Sequence, residues 1–219
     1  MKCNMENVVT NYGVKERKTV YQGFSKIDEL TINDGDKEYT REVLVVQNAV
    51  AAIIYDTTKK KYIFVEQYRP GAEGIMVEIV AGCIDEGEKP EQAIKREIME
   101  ETGYKVDFVK HISDFYSSPG KTSELISLFY CEVSEKVNEG GGIGDERISV
   151  VEVEKLGLNG RLFLQDPSNP DMEFGVENKM IPPYQLIDAK SLIAVMWLEK
   201  SNVLKDMADV ITQAKLRSL

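Results

Sequence analysis

Short apolar runs separated by polar turns dominate the chain and predict a fold built mainly from strands. Ala49 to Tyr55 is almost wholly apolar and is typical of a buried strand. After a polar turn, Tyr62 to Tyr68 is expected to pair back as a hairpin that leaves Arg69 at its tip. The same patterns predict further extended segments at Met76–Ala81, Tyr104–Tyr116, Leu125–Val133 and Ile148–Val153.

One helix is predicted with definite ends, between Pro90 and Gly103. A proline suits the first helical turn, because its missing N–H is not needed there. Gly103 suits the left-handed residue that follows the last turn of a helix. Ile94 and Ile98 are four residues apart, so both can face a core, with Ala93 beside them.

The N-terminal part of the chain has weaker patterns. Residues 1–45 contain two β-prone runs, Lys18–Phe24 and Tyr39–Val46, on either side of a polar turn at 33–36. So few short strands cannot bury a core of their own. We therefore expect residues 1–45 to form a small β region that packs on the main domain, 46–219, or on a second subunit.

The C-terminal part is predicted to contain an irregular excursion followed by two helices. Residues 156–183 are rich in Asn, Pro and Gly, which indicates an excursion with little regular structure. Two helices are expected after it: Ala189–Glu199 has an apolar face, and Asn202–Leu219 is more amphipathic.

Composition narrows the possible partners and the compartment. The 219 residues fit one medium domain with at most a small appendage, and the net charge of −10 argues against nucleic acid or an anionic membrane as a partner. The three cysteines are too few and too dispersed for a disulfide framework or a zinc site. The chain also has no apolar run of membrane length and no signal-peptide core. Together with the dispersed cysteines, these features predict a cytoplasmic protein.

Acidic side chains crowd one stripe of the predicted helix. Glu97 and Glu101 are four residues apart and Glu100 lies three after Glu97, so all three project to the same side. Arg96 offsets part of their repulsion. One interpretation is simply a solvated face, since charge runs on helices are common. The other is a metal site, and clustered carboxylate oxygens favour Mg²⁺ or Mn²⁺ over zinc.

The spacing around this helix decides between the two interpretations. The chain has Gly82, five residues, Glu88, seven residues, and then Arg96-Glu97-Ile98-x-Glu100-Glu101-x-Gly103-Tyr104. This pattern matches the Nudix box without a departure, and the chain resembles a Nudix hydrolase. The resemblance implies an α+β fold, the Nudix α/β/α sandwich of a mixed sheet and helices. It also implies water attack on a pyrophosphate with the help of a divalent cation, Mg²⁺ or alternatively Mn²⁺.

The resemblance assigns roles to residues in and near the box. Metal ligation and catalysis fall on Glu97 and Glu101, with Glu100 in support, and the backbone carbonyl of Ala81 is a further expected ligand. Glu88 and Arg96 are expected to stabilise the box, with the arginine fixing its loop against the helix.

Flanking motifs resemble one branch of the family. Pro119 lies 16 residues after Gly103 within Ser118-Pro119-Gly120, as in ADP-ribose pyrophosphatases. The wider run around it, and the glycine-rich loop at 139–146, resemble GDP-mannose pyrophosphatases. This loop is expected to be mobile, and in this branch its glutamate acts as a general base or an extra metal ligand. Glu146 is the first candidate here and Asp145 the second.

Three charged residues outside the box are candidate substrate contacts, together with the Ser118-Pro119-Gly120 turn. Arg69, at a strand tip, can grip a phosphate with both arms of its guanidinium. Arg41 can do the same, within its own subunit or across a dimer interface, because relatives pair through their N-terminal strands. Glu78 is a charge in an apolar strand. Such a charge lies at a sheet edge or is paired, or else it contacts a ligand. Each arginine could instead form only a salt bridge.

These observations predict a Mg²⁺-dependent pyrophosphatase that acts on ADP-ribose or a related nucleoside diphosphate sugar as a homodimer. It would release a nucleoside monophosphate and a sugar phosphate. One alternative is a Nudix-like sensor that binds the nucleotide without cutting it, although every box glutamate is present. Another is a pyrophosphatase of dinucleoside polyphosphates or coenzyme derivatives.

Overall fold

The computed structural model describes residues 12–144, 146–157, 161–163, 186 and 188–201. They fall into two compact units, one within Met1–Asn48 and Tyr116–Leu125, the other within Ala49–Phe115 and Ile126–Leu219. The predicted helix at Asn202–Leu219, most of the excursion at 156–183 and the candidate loop acid Asp145 lie outside the described residues.

The N-terminal unit contains a three-stranded antiparallel sheet in the order β1-β2-β3. Its strands are β1 (Tyr12–Gln22), β2 (Lys26–Asp34) and β3 (Glu38–Val45). The middle strand was not predicted, and β1 begins six residues before the expected run at Lys18. The polar turn expected near residue 35 is present as the β2–β3 connection.

A buried charge explains why the middle strand escaped sequence reasoning. Asp28 interrupts the apolar pattern of β2, yet it is fully buried. Arg17 donates a hydrogen bond to its carboxylate at 2.9 Å and the Thr19 hydroxyl donates another at 2.8 Å. The Arg17 guanidinium lowers the pKa of Asp28, and Lys26 contributes at 3.4 Å. The carboxylate is therefore paired across two strands, which satisfies it inside the sheet.

The Ser118-Pro119-Gly120 turn belongs to this same unit, although the sequence separates it from residues 1–48. The N–H of Leu44 donates to the Lys121 carbonyl at 2.9 Å, and the Ser123 N–H donates back to the Leu44 carbonyl at 3.0 Å. These bonds attach the turn segment to the end of β3.

The larger unit is built on one mixed sheet in the order β10-β5-β4-β9-β8, with β6 paired to β5 and β7 paired to β4. The pairing of β4 with β9 is parallel, and β4 runs antiparallel to β5 and β7. A separate pair, β11 and β12, follows. The bounds of these strands are β4 Ala49–Asp56, β5 Lys61–Arg69, β6 Gly74–Glu78, β7 Val80–Cys83, β8 Tyr104–Tyr116, β9 Leu125–Lys136, β10 Ser149–Val153, β11 Lys155–Gly157 and β12 Arg161–Phe163.

Two helical segments cover the two faces of this sheet. Successive residues of a strand point to opposite faces, and β4 is apolar on both. Val50, Ala52 and Ile54 share a core with helix α1 (Pro90–Thr102). Their neighbours in β4 share a second core with the helical residues 189–201, here α2. The predicted α/β/α sandwich and the helix at Ala189–Glu199 are therefore confirmed.

The strand expected at Met76–Ala81 is divided in two. Its first part, β6, pairs with β5, and its second part, β7, pairs with β4. Ile79 lies at the change of partner, and its N–H donates to the Ser191 hydroxyl of α2 at 2.9 Å instead of to a strand. The division thus also anchors α2 on the sheet.

Helix α1 begins and ends where its sequence predicts. Pro90 occupies the first turn, and Gly103 adopts the left-handed conformation with φ of 75° and donates its N–H to the Met99 carbonyl at 3.0 Å. Ala93, Ile94 and Ile98 are fully buried, which leaves the acidic stripe on another side of the helix.

Candidate metal and catalytic site

A close approach between β7 and α1 places the first acid of the site. A Cβ atom built on Gly82 would lie 2.0 Å from the carboxyl carbon of Glu97. Only glycine leaves room for that carboxylate against the strand, which gives a physical reason for the first position of the motif. Ala81, whose carbonyl is a predicted ligand, precedes this glycine in β7 and pairs with Ala51 of β4.

Arg96 ties the box loop to the helix, as predicted. Its guanidinium donates to both carboxylate oxygens of Glu88, at 3.1 and 2.9 Å, and to the Cys83 carbonyl at 2.9 Å. It also donates to Glu97 at 2.8 Å and to Glu100 at 3.0 Å. The Arg96 guanidinium therefore holds Glu88, Glu97, Glu100 and the backbone of the loop together.

Glu101 is the most buried acid of the cluster. Its side chain faces inward, and the residue is only 3% exposed. Burial, with smaller contributions from the charges of Glu97 and Glu146, raises the pKa of Glu101 to about 8. Its Oε2 atom is buried and accepts no hydrogen bond from the described residues. Burial also raises the pKa of Glu97, in spite of the contact with Arg96.

The glycine-rich loop after β9 is docked on the end of α1, whereas the sequence suggested a mobile loop. We call residues 140–142 the glycine clasp. The N–H of Gly141 donates to the Glu101 carbonyl at 2.8 Å, and the N–H of Gly142 donates to the Glu100 carbonyl at 3.0 Å. The loop thus satisfies carbonyls that the last turn of a helix leaves without partners.

The docked loop carries Glu146 back toward the acids of α1. Its Oε2 accepts a hydrogen bond from the Ile143 N–H at 3.1 Å, and its charge contributes to the raised pKa of Glu101. The side chain remains exposed to solvent. The other candidate, Asp145, lies outside the described residues.

Glu78 is paired, which was one of the predicted possibilities. The residue is 1% exposed, its Oε1 accepts from the Arg69 Nε at 2.5 Å, and its Oε2 accepts from Lys190. Lys190 in turn contacts Asp188 at 3.0 Å. The Arg69 side chain keeps 38% of its surface exposed.

The remaining predicted substrate contacts belong to the N-terminal unit. Arg41 in β3 is exposed, lies 4.6 Å above the ring of Tyr39, and donates to the Thr40 carbonyl at 2.8 Å. In the Ser118–Gly120 turn, Lys121 and Thr122 donate their N–H groups to the Ser118 carbonyl at 2.8 and 2.9 Å. Contact of Arg41 and of this turn with a substrate stays a prediction.

The resemblance to Nudix hydrolases implies a divalent cation. The question is whether the acids of α1 offer a suitable set of ligands. Within the described part of the chain, no three Asp, Glu, His or Cys side chains already converge as a metal-binding set. The Oε2 atom of Glu101, however, is a buried oxygen without a donor in the described ranges, among carboxylates that raise its pKa. Such a set of hard oxygens fits Mg²⁺ or Mn²⁺, which would supply the missing positive charge.

Sequence reasoning missed two parts of this site. Lys190 and Asp188 come from a region far along the chain, with Lys190 separated from Glu78 by 112 positions. Asn138 accepts the Gly140 N–H with its side chain at 2.8 Å, and no local pattern marks it.

Known proteins give an independent comparison. The NUDIX domain profile matches residues 45–169. A GDP-mannose pyrophosphatase of Escherichia coli O9:H4 is 31% identical over 185 residues, which is 80% of this chain and 86% of that protein. A GDP-mannose pyrophosphatase of Cronobacter sakazakii is 37% identical over 57% of this chain and 70% of its own length.

A solved structure supports the fold. The crystal structure of an ADP compounds hydrolase covers 66% of this chain and 78% of its own, with a TM-score of 0.56 and 18% identity. The sandwich, the complete box and the matches over most of the chain agree: this protein belongs to the Nudix family and is a Nudix hydrolase.

Proposed function

We propose that the protein hydrolyses the pyrophosphate bond of a nucleoside diphosphate sugar, with GDP-mannose as the first candidate and ADP-ribose as the second. The observation that carries the proposal is the complete set of box acids on α1 beside Glu146, in a chain 31% identical to a GDP-mannose pyrophosphatase over 80% of its length. The products would be a nucleoside monophosphate and a sugar phosphate.

The acids of α1 would hold the metal. Glu97 and Glu101, with Glu100 in support and the Ala81 carbonyl, offer the oxygens that a divalent cation takes. A bound Mg²⁺ would neutralise phosphate charge and lower the pKa of the attacking water. Arg96 supports this arrangement because it holds Glu97 and Glu100 on the side of the helix where their oxygens are needed.

Two other groups would act on the substrate and the water. Arg69 is held at the strand tip by Glu78, and its partly exposed side chain would bind a phosphate. Glu146, an exposed carboxylate, would accept the proton of the attacking water as general base. Arg41 and Ser118-Pro119-Gly120 are proposed as further substrate contacts.

A substrate panel tests the proposed activity. Purified protein with Mg²⁺ or Mn²⁺ is expected to cleave at least one of GDP-mannose, ADP-ribose, ADP-glucose and UDP-glucose, with GDP-mannose cut fastest. Products are separated by ion-exchange chromatography, which distinguishes cleavage at the pyrophosphate from loss of a terminal phosphate. If all four substrates remain intact while at least one binds by calorimetry, the proposed hydrolysis of nucleoside diphosphate sugars is wrong.

We also propose that the protein is a homodimer formed through the N-terminal region 1–45. Every residue of β1 is exposed, including the apolar side chains Tyr12, Val14, Val20 and Tyr21. An edge strand that exposes four large apolar side chains is expected to be covered, and a second copy of the same strand is the simplest cover.

A charged residue introduced into β1 tests the proposed dimer. Val20→Asp is expected to convert a dimer of the wild type into a monomer in analytical ultracentrifugation, because a carboxylate would be buried in the contact. Met196→Asp is the matched control, since Met196 is 64% exposed on α2. A dimer that survives Val20→Asp as well as it survives the control would contradict this interface.

A cytoplasmic location is also proposed. It rests on the few, dispersed cysteines, of which Cys131 is a buried thiol. None of the helices in the described ranges is long and apolar enough to cross a membrane.

A further inference from the structure

The glycine clasp joins the loop acid to the metal-binding helix through backbone contacts alone. The N–H groups of Gly141 and Gly142 donate to the carbonyls of Glu101 and Glu100, two of the acids proposed to hold the metal. The Ile148 N–H closes the loop from the other side by donating to the Gly141 carbonyl at 3.3 Å. The start of the strand that follows Glu146 is therefore tied to the same end of α1.

One glycine of the clasp also touches the loop acid directly. A Cβ atom on Gly142 would lie 2.7 Å from Cβ of Glu146 and 2.8 Å from its Oε2. Side chains essentially never approach that closely, so the Glu146 side chain occupies the space that any other residue at 142 would fill. The Oε2 atom in question is the one that accepts the Ile143 N–H.

We propose that Gly142 is a positioning residue for Glu146. Because it lacks a side chain, the clasp lies against α1 while the Glu146 carboxylate folds back over the clasp toward Glu101. Any side chain at 142 pushes the carboxylate out of this place and leaves the acids of α1 where they are. This inference rests on the proposed role of Glu146 as general base, and the experiment separates the two.

A neighbouring glycine provides the matched control. Gly142 and Gly144 both have positive φ, 86° and 68°, so alanine strains the backbone at each. A Cβ on Gly144 meets no described atom within 4 Å, whereas a Cβ on Gly142 meets Glu146. Comparison of the two alanine variants therefore controls for the positive φ, and the remaining difference reports the steric effect at position 142.

The first experiment measures turnover of the preferred substrate with saturating Mg²⁺. Gly142→Ala is expected to lower kcat at least about tenfold, a part of the roughly 10²–10⁴-fold contribution of a general base. KM and the Mg²⁺ concentration for half-activity are expected to change less than about threefold, and Gly144→Ala is expected to stay within about twofold of wild type.

The second experiment asks whether Gly142 acts through Glu146. In a double-mutant cycle, Gly142→Ala is expected to add no further loss to Glu146→Gln, because the group it displaces is already disabled. A generally distorted fold would lower kcat in both backgrounds. Ile148→Val removes the other contact, 3.1 Å from the same Cβ position, and is not expected to restore the Gly142→Ala variant.

If Gly142→Ala folds poorly, a milder variant can be tested with a readout other than activity. Asn138→Ala removes the acceptor of the Gly140 N–H, so the clasp is expected to loosen. Hydrogen exchange of the Gly141 and Gly142 amides in metal-free protein should speed up at least about tenfold in this variant, with a matching fall in kcat that depends on Glu146.

The outcomes separate the two proposals. If Glu146→Gln is inactive but Gly142→Ala behaves like Gly144→Ala, the positioning role is wrong and the base role stands. If Glu146→Gln keeps wild-type turnover, the base role fails and the positioning role fails with it. Equal losses from Gly142→Ala in both backgrounds also overturn the positioning role.

Discussion

Glu101→Gln is expected to lose about 10³-fold in kcat and, in metal-free buffer above pH 8, to unfold at a higher temperature than the wild type. The loss of activity follows because a neutral amide replaces a charged ligand, and metal stabilisation of a phosphoryl transition state is worth several kcal/mol. The gain in stability follows because the buried carboxylate is costly when it is charged, and a neutral amide avoids this cost.

The direction of the pH effect follows from where the proton sits. Burial and neighbouring carboxylates raise the pKa of folded Glu101 from 4.5 to about 8. Between these two values the folded protein holds a proton that the unfolded chain has released, so the free energy of unfolding falls as pH rises. The stabilisation that the bound proton gives is complete below the pKa of Glu101 in the unfolded chain. It is lost as the pH rises through the pKa of Glu101 in the folded protein.

Glutamine in place of Glu101 would remove this penalty because its side chain carries no charge. Above pH 8 the metal-free variant should gain about 2 kcal/mol, or about 4–8 °C in Tm for a protein of this size. At pH 5 the two proteins should melt within about 2 °C of each other, since the wild-type carboxyl group is then protonated in the folded state. Mg²⁺ should stabilise the wild type and leave the variant almost unchanged.

Thermal unfolding by circular dichroism at about pH 5 and about pH 8.5, with EDTA and with Mg²⁺, checks this prediction on both sides of the folded pKa. Glu139→Gln is the control, since the Glu139 side chain is fully exposed and its contact with Lys136 is 3.8 Å. It should shift neither Tm nor kcat. The assignment of Glu101 would be refuted by wild-type turnover in Glu101→Gln, or by a lower metal-free Tm at the higher pH.

The parts of the fold that sequence predicts well are those with local causes. Pro90 and Gly103 define the ends of α1 because each has a backbone preference that acts within one turn. The apolar run of β4 indicates a strand that is buried on both faces. Arg96 is within eight positions of each acid to which it donates a hydrogen bond, so the box organises itself from its own sequence.

The parts that sequence misses depend on partners far along the chain. Asp28 makes β2 look like a polar segment until Arg17 and Thr19 are seen to pair with it. Lys190 reaches Glu78 across 112 positions. The glycine clasp acts through backbone N–H groups, and a run of glycines carries no side-chain pattern that names its acceptor. Long-range pairing and backbone docking leave no periodic signal.

Arg96→Met is expected to lower the free energy of unfolding of the metal-free protein by about 2–3 kcal/mol, or about 5–10 °C in Tm. The change leaves Glu88, Glu97 and Glu100 without their shared cation, and their side chains are only 17%, 13% and 25% exposed. Removal of one partner from a largely buried ion pair is costly because the remaining charges stay desolvated. The Arg96 side chain is itself 28% exposed, so solvent reduces the cost below that of a fully buried pair.

The neighbouring residue supplies a control on the same helix. Lys95 pairs with Glu91 at 2.8 Å, but both side chains are exposed, at 48% and 62%. Lys95→Met should therefore change the free energy of unfolding by about 0.5 kcal/mol or less. Arg96→Lys should recover less than half of the loss, because an ammonium group has only three N–H donors, whereas the guanidinium donates to Glu88, Glu97, Glu100 and the Cys83 carbonyl.

The effect of Mg²⁺ on the Tm of the two methionine variants tests whether Arg96 is connected to the metal site. If Glu97 is both a partner of Arg96 and a metal ligand, a bound cation replaces part of the lost positive charge. Saturating Mg²⁺ should then raise the Tm of Arg96→Met more than that of Lys95→Met, with denaturation followed in the same buffer. An equal response of the two variants would mean that Arg96 stabilises the box loop alone and has no electrostatic connection to the metal site.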